Sequence, residues 1–262
     1  MKPDAKIVIV LPAYNAAKTL EKTYADIPKD KVAKIILVDD VSQDQTVEVA
    51  RSLGLSVVIH VQNRGYGGNQ KTCYIESLKE SADVVVMLHP DHQYDSRLAP
   101  ELVRPVLEEK ADMVIGSRIL NGRALDGGMP IWKYAANRVL TIAENLVYGT
   151  RLTDGHSGFR AYSRKLLSTV PFLLNSDDFV FDSQMIAQAA YLGFRIAEIP
   201  VQARYFPEAS SVNFRVSTIY GLKTVGVMIS YLLQKLGLVR FKRFEKKLPE
   251  VISPYYHQEI FR

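Results

Sequence analysis

The chain has 262 residues, 47% of them hydrophobic and 23% charged, which describes a globular protein with a sizeable core and excludes a disordered or fibrous one. Its single cysteine, Cys73, excludes an internal disulfide framework and any cysteine-cluster metal site. The net charge of +5 sits in Lys235–Lys247, with six basic residues and one acidic; the other 27 basic and 27 acidic residues cancel, which excludes a uniformly basic nucleic-acid binder.

Residues 1–6 are polar and the apolar run Ile7–Leu11 is too short for a secretory signal core, so a cytoplasmic location is expected. Ile7–Leu11 reads instead as a first buried strand, followed by helical periodicity over Ala16–Ile27. KIILVDD (34–40) is a second strand, Asp44–Leu53 a helix, LSVVIHV (55–61) a third strand and Gly68–Ser81 a helix. DVVVMLHPD (83–91) gives a fourth strand, Leu98–Lys110 a helix and ADMVIGSR (111–118) a fifth strand. Continuous Val/Ile/Leu runs alternating with helices predict a doubly wound, mostly parallel α/β sheet with helices on both faces. Beyond it, Pro130–Val147 and Asp178–Tyr191 read as helices, Leu152–Arg160 as a glycine-containing loop and Phe194–Val201 as one more strand. The expected organisation is one domain over residues 1–211 with a helical extension over 212–262.

Ligands of such sheets sit at the C-terminal strand ends. Here those ends carry Tyr14-Asn15, Asp39-Asp40, Asn63-Arg64, Asp91 and Arg118, which predicts one functional cleft. Ser42, Asp44 and Thr46 are explained as helix caps. The adjacent Asp39-Asp40 pair is not, because its repulsion needs a compensating partner. Neither GxGxxG after strand one nor GxxxxGK[ST] occurs, which argues against a dinucleotide-binding enzyme and a P-loop NTPase. His89, Asp91 and Gln93 alternate along an extended segment and so share one face, a set able to hold a divalent ion against a diphosphate. His60 reads as a core residue.

PAYN (12–15), VDDVSQDQT (38–46), NRGYGGNQK (63–71), HPDHQ (89–93), GSR (116–118) and SGFRAYSR (157–164) stand in the order found in family-2 glycosyltransferases of the GT-A fold. The set resembles the polyprenyl-phosphate, dolichyl-phosphate mannose synthase-like branch over about residues 6–210. The resemblance implies inverting transfer of a sugar from a UDP- or GDP-linked donor to a polyprenyl phosphate. It implies a donor site of Pro12, Tyr14, Asn15, Val38, Asp40, Arg64, Asp91 and Arg204. It also implies a divalent metal, Mn or Mg, on Asp91 with Gln93 and His89. Asp91, Arg118 and Arg160 are the implied catalytic residues, and Lys133, Arg138 and Arg160 the cationic candidates for the acceptor phosphate. Arg160 also reads as a core ion pair with Asp154.

The departures are specific. His89 replaces the first acid of Asp-x-Asp, which weakens a hard-oxygen Mg²⁺ site and favours Mn²⁺. Ala16 and Gln184 stand where the branch carries Glu, and EASSVNF (208–214) stands where Gly-x-Ser-Lys is common.

In the extension, Leu222, Val225, Ile229, Leu232 and Leu236 fall at helical spacing, widened by Val227, Met228 and Tyr231. Only 11 uncharged residues separate Lys223 from Lys235, short of the roughly 20 that span a bilayer. With the basic run and Phe241 and Phe244 behind it, the segment reads as an interfacial helix touching an anionic membrane surface; packing on the body or on a second copy of the chain is the alternative. Two rival functions stay open: transfer to a saccharide or other hydroxyl, with Asp154 or Asp182 as general base, and a non-catalytic nucleotide-sugar-binding protein.

Overall fold

A computed structural model describes residues 5–120, 122, 124–205 and 214–261. The expected boundary at 211/212 and most of the 208–214 stretch lie outside the described residues. The strands are β1 (Ile7–Ala13), β2 (Lys34–Asp39), β3 (Ser56–Ile59), β4 (Val84–Met87), β5 (Met113–Ser117), β6 (Arg160–Ser163) and β7 (Ile196–Pro200). Helices α1 (Ala17–Ala25), α2 (Thr46–Ser52), α3 (Gly65–Lys79), α4 (Ala99–Leu107) and α5 (Ile131–Tyr148) belong to the first part of the chain. Then follow α6 (Arg164–Thr169), α7 (Phe181–Tyr191), α8 (Phe214–Lys235), α9 (Lys242–Glu245), α10 (Leu248–Val251) and α11 (Pro254–Ile260).

The strands form one seven-stranded sheet in the order β3-β2-β1-β4-β6-β5-β7. Alternation along β1 divides the core. Ile9 and Leu11 face the layer of α1, α2 and α4 with Leu20, Ala50 and Leu102. Val8 and Val10 face α3, α6 and α7 with Tyr74, Leu166 and Met185. The register sets Ala13 beside Asp39 and Val10 beside Met87, so the PAYN, Asp-Asp and His-Pro-Asp segments leave the sheet side by side. Because β1 has β2 on one flank and β4 on the other, the chain connections diverge there and open a crevice.

Two features depart from the expected elements. β6 falls where a loop ended, because RAYS has no aliphatic run; it inserts antiparallel between β4 and β5, with Arg160 opposite both Met87 and Ile115. Its reversed direction brings the 154–159 loop to the same edge as the C-terminal ends of the parallel strands. The other departure is at the C-terminus. Phe244, read as a membrane-docking aromatic, is buried against Tyr191 and Tyr231, and Leu248, Ile252 and Ile260 complete the core around α3, α6 and α7. The Arg164 guanidinium donates to the carbonyls of Leu78 and Ile260 at 3.1 and 2.8 Å, tying α11 down.

Helix α8 has two apolar faces. Val227, Met228 and Tyr231 are buried against the body, while Leu222, Val225, Ile229, Leu232 and Leu236 are exposed. At 22 residues, α8 is longer than its uncharged stretch implied, and Arg215–Lys235 has the length and composition of a membrane-crossing helix. Its inner face, however, belongs to the core, and Lys223 at its middle pairs with Asp178.

The C-terminal helices are therefore part of the fold. Leu248→Ala should lower the unfolding free energy by about 2–5 kcal/mol, the cost of a truncated core leucine, in urea titrations of the full chain; a change under about 0.5 kcal/mol, as at surface sites, would contradict this.

Candidate active site

A cleft of about 660 Å³ lies along the strand ends. Its walls are Pro12 of β1, Tyr14 and Asn15 after it, Asp40 after β2, Tyr66 and Asn69 of α3, and His89, Asp91 and Gln93 after β4. Arg118 follows β5; the far end is made by Lys133 of α5, His156, Asp182 of α7 and Tyr220 of α8.

The polar tips are held by one another. Asn15, at φ 53°, accepts from the Gln43 amide through Oδ1 at 2.7 Å, and its own amide donates to Ser42 at 2.9 Å. Asp40 answers the question of the acidic pair. Its carboxylate accepts from the backbone amides of Arg64 and Gly65 at 2.7 and 2.9 Å and meets His60 Nδ1 at 2.7 Å. The positive end of α3 thus compensates the charge. His60, its side chain buried as read from the sequence, is held by Asp40 and Thr72 at the sheet edge. The glycines of NRGYGGNQK allow the close approach: a Cβ on Gly65, which sits at φ +76°, would stand 2.7 Å from the Asp177 carbonyl.

Two buried ion pairs stand behind the cleft. Arg118 binds Asp154 in bidentate fashion, Nε to Oδ2 at 2.7 Å and Nη2 to Oδ1 at 2.9 Å. Burial opposes both charges, but their attraction outweighs it, holding Asp154 well below and Arg118 well above their usual ranges. Arg160 is fully buried and does not pair with Asp154: it lies 3.5 Å from Asp182 and donates to the carbonyls of Gly155, Ser157 and Asp182. Asp182 also accepts from Tyr66 at 2.7 Å and Gln70 at 3.2 Å.

Of the residues singled out in the sequence, Pro12, Tyr14, Asn15, Asp40, His89, Asp91, Gln93, Arg118 and Lys133 meet on the cleft wall. Val38, Arg64, Arg138, Arg160 and Arg204 are not among its lining residues. Val38 is buried and offers its carbonyl to Asn69 at 3.0 Å. Arg64 acts through its amide, Arg138 donates to the Thr153 carbonyl at 2.7 Å, and Arg204 Nη1 lies 2.9 Å from His92 Nε2. Sequence reading missed His156, Phe179 and Tyr220; Tyr66 and Asn69 were visible only as members of the glycine motif.

His89, Asp91 and Gln93 all line the cleft, although among the described residues no group of three or more His, Cys, Asp or Glu side chains is placed to hold a metal ion. The His89 ring approaches Gly158 so closely that a Cβ there would stand 2.9 Å from its Cδ2 and Nε2; Tyr66 stacks on it at 5.3 Å with its hydroxyl 3.2 Å from Nε2. Burial lowers the imidazole's pKa, so the ring is a neutral nitrogen donor.

A crevice at the switch point of a mixed seven-stranded sheet, with carboxylates at adjacent strand tips, is the GT-A glycosyltransferase class of site. The chain belongs to glycosyl transferase family 2, whose profile matches residues 8–170, and it is a glycosyltransferase. Uncharacterized protein MJ1222 of Methanocaldococcus jannaschii is 31% identical over 231 residues, 88% of this chain and 93% of that protein. UDP-N-acetylglucosamine–dolichyl-phosphate N-acetylglucosaminyltransferase of Methanococcus voltae is 26% identical over 219 residues, 77% of this chain and 87% of that one. The fold matches glucosyl-3-phosphoglycerate synthase of Mycobacterium tuberculosis, in a crystal with Mn²⁺, UDP and phosphoglyceric acid, with TM-score 0.67, 23% identity and coverage of 88% and 79%.

Removing Arg118 would strand the Asp154 charge. Arg118→Met should cost about 3–5 kcal/mol, and adding Asp154→Leu should recover most of it; equal stability of the two variants in denaturant titrations would contradict a pair held by mutual attraction. Deeper in the wall, burial lifts the Glu144 carboxyl to about 8 from 4.5. The folded state therefore keeps a proton that the unfolded chain has lost, so wild type should lose stability relative to Glu144→Gln, by at most about 1.4 kcal/mol per pH unit, as pH rises from 4.5 to 8. Parallel stability profiles of the two proteins would refute that protonation.

Proposed function

We propose that the protein moves a sugar, with inversion, from a UDP- or GDP-linked donor to the phosphate of a polyprenyl phosphate at a membrane surface. The observation that carries this reading is the position of the cleft's far end. Lys133 and Leu140 of α5 and Ser217 and Tyr220 of α8 line it. The same two helices expose aliphatic side chains: Val139 and Leu146 on α5, Leu222 and Ile229 on α8, with Leu236 just past its end. Exposed apolar stripes on the two helices that also wall a polar cleft suit an acceptor with a charged head and a hydrocarbon tail. The Methanococcus voltae relative, named for a dolichyl-phosphate acceptor and a UDP-sugar donor, supports the same reading.

In this reading Pro12, Tyr14, Asn15 and Asp40 flank the base and ribose, with Val38 and Arg64 supporting them through the backbone. Asp91, Gln93 and His89 would hold the divalent ion, which when bound neutralises the diphosphate; UDP and Mn²⁺ bound together in the fold relative support this. Arg204 stands behind His92 at the edge of this group. The acceptor phosphate oxygen attacks the anomeric carbon as the bond to the diphosphate breaks, so orientation and charge stabilisation carry the catalysis. Lys133 and Arg118 line the acceptor side, with Arg138 and Arg160 bracing its wall. A hydroxyl acceptor would need a free general base, and Asp154 is locked to Arg118 while Asp182 is shared by Tyr66, Gln70 and Arg160.

Helix α8 would lie in the membrane interface rather than cross it, because crossing would strip Val227, Met228 and Tyr231 from the core. The exposed Lys235, Arg240, Lys242, Lys246 and Lys247 add attraction to anionic lipid.

Incubation with radiolabelled UDP- and GDP-sugars and undecaprenyl or dolichyl phosphate should place label in the organic phase. Asp91→Asn should reduce it by about 10²–10³-fold, the scale of losing one transition-state contact. Label only in water-soluble product would reject the lipid acceptor. On anionic vesicles, replacing Leu222, Ile229 and Leu236 with serine should abolish a salt-sensitive association; undiminished binding would reject the α8 surface.

A further inference from the structure

In the cleft wall a hydrogen-bonded chain crosses α7, α3 and the tip of β4. Asp182, in the first turn of α7, lies 3.5 Å from the buried Arg160 guanidinium, so both of its carboxylate oxygens accept. Two residues one turn apart on α3 serve them: Gln70 donates to Oδ1 at 3.2 Å and the Tyr66 hydroxyl to Oδ2 at 2.7 Å. Burial and the Asp182 charge hold the Tyr66 pKa well above its usual value, so Tyr66 is a hydroxyl with a single hydrogen, and that hydrogen points to Asp182. The Tyr66 oxygen also lies 3.2 Å from Nε2 of His89. With no second hydrogen to give, it can only accept there. The neutral His89 ring therefore carries its hydrogen on Nε2, and Nδ1 keeps its lone pair. The Cδ2–Nε2 edge of the ring is the one turned to Gly158 and Tyr66; Nδ1 lies across the ring from that edge, in a residue that lines the cleft.

We propose that Asp182 and Tyr66 are positioning residues that hold His89 in its Nε2–H form, so that the Nδ1 lone pair is presented to the bound nucleotide sugar. The direction of the chain is set by charge. Arg160 makes Asp182 an acceptor, Asp182 takes the hydrogen of Tyr66, and the Tyr66 oxygen takes the hydrogen of His89. Phe179 packs on the Tyr66 ring with centroids 4.6 Å apart and helps to hold the phenol in place.

Reversing one link reverses the rest. In Asp182→Asn the amide oxygen stays with Gln70 and Arg160, and the NH₂ group turns to Tyr66. The Tyr66 oxygen then accepts from the amide, and its hydrogen points to His89 Nε2. By exchange with water the ring loses its hydrogen at Nε2 and gains one at Nδ1, so an N–H replaces the lone pair on the cleft side.

The inference rests on the donor-site reading only for what Nδ1 meets, because the tautomer is read without a ligand. In the full chain labelled with ¹⁵N-histidine, a ring nitrogen has one shift with hydrogen and another without. His89, assigned with His89→Asn, should carry hydrogen on Nε2 alone in wild type and on Nδ1 in Asp182→Asn. That variant also strips Arg160 of its counter-charge, so Tyr66→Phe, which keeps the pair, is measured beside it. There Nε2–H loses its acceptor and the two tautomers should average. Hydrogen on Nδ1 in wild type, or unchanged His89 shifts in Tyr66→Phe, overturns the chain. UDP-glucose, UDP-N-acetylglucosamine and GDP-mannose are then titrated calorimetrically with Mn²⁺ present. The tightest of them should bind Asp182→Asn about tenfold more weakly, the scale of setting a polar group against the wrong partner. Binding within about twofold of wild type by both variants overturns the role of Nδ1. A wild type that binds none of the three overturns the donor reading, while the histidine spectra still decide the tautomer.

Discussion

The Arg160 guanidinium is fully buried at the point where β6 enters the sheet, and a charge in that position has to be surrounded by acceptors. Those acceptors are the Gly155, Ser157 and Asp182 carbonyls and the Asp182 carboxylate. Satisfying one side chain therefore fixes the 155–158 loop and the first turn of α7 together. The loop carries His156 to the cleft and brings Gly158 against the His89 ring; the helix presents Asp182 to Tyr66. Without the antiparallel β6, that loop would leave the sheet at the opposite edge. The site is an outcome of where a buried cation finds its partners.

Charge around the cleft is largely neutralised before any ligand arrives. Arg118 is matched by Asp154, Arg160 by Asp182, Lys71 by Asp177, and Asp40 by the N-terminus of α3. Buried pairs of this kind add little net stability compared with apolar packing; what they supply is position, because a bidentate contact fixes both partners. A donor diphosphate therefore meets oriented groups and not a broad positive field. Asp91, with Oδ1 accepting from the Gln93 amide at 3.1 Å, stands beside a His89 ring that burial keeps neutral.

The sheet was legible wherever aliphatic runs signalled strands, and with it the strand tips that line the cleft: Tyr14, Asp40, Asp91 and Arg118 need only a parallel sheet to meet. β6 was not legible, since RAYS pairs through backbone and a charged side chain that long-range partners alone make buriable. For the same reason Arg160 read as a cleft cation or a partner of Asp154, when the pairing of two arginines with two aspartates depends on loop geometry. His156 and Tyr220 are 64 residues apart and share no local pattern. Arg64 and Val38 sit in the right segments but act through backbone atoms, which a motif does not distinguish from side chains.

Helix α8 shows why periodicity alone left the C-terminal segment ambiguous. Both stripes are apolar, so the repeat of 222, 225, 229, 232 and 236 cannot say which one the core takes. Aromatic packing decides: Tyr231 meets Tyr148, Tyr191 and Phe244 with ring centroids 4.9, 5.8 and 6.0 Å apart, contacts that branched aliphatics could not reproduce. The stripe left outside consists of five exposed aliphatics at helical spacing beside further exposed aliphatics on α5. Folding of one chain gives no reason to keep such a face, since polar residues there would cost the core nothing. Arg240, Lys242, Lys246 and Lys247 after it remain exposed, while Arg243 is half-buried and Phe244 and Leu248 turn inward. The segment thus separates its two chemistries, burying the residues that close the core and displaying aliphatic and cationic ones on the outside.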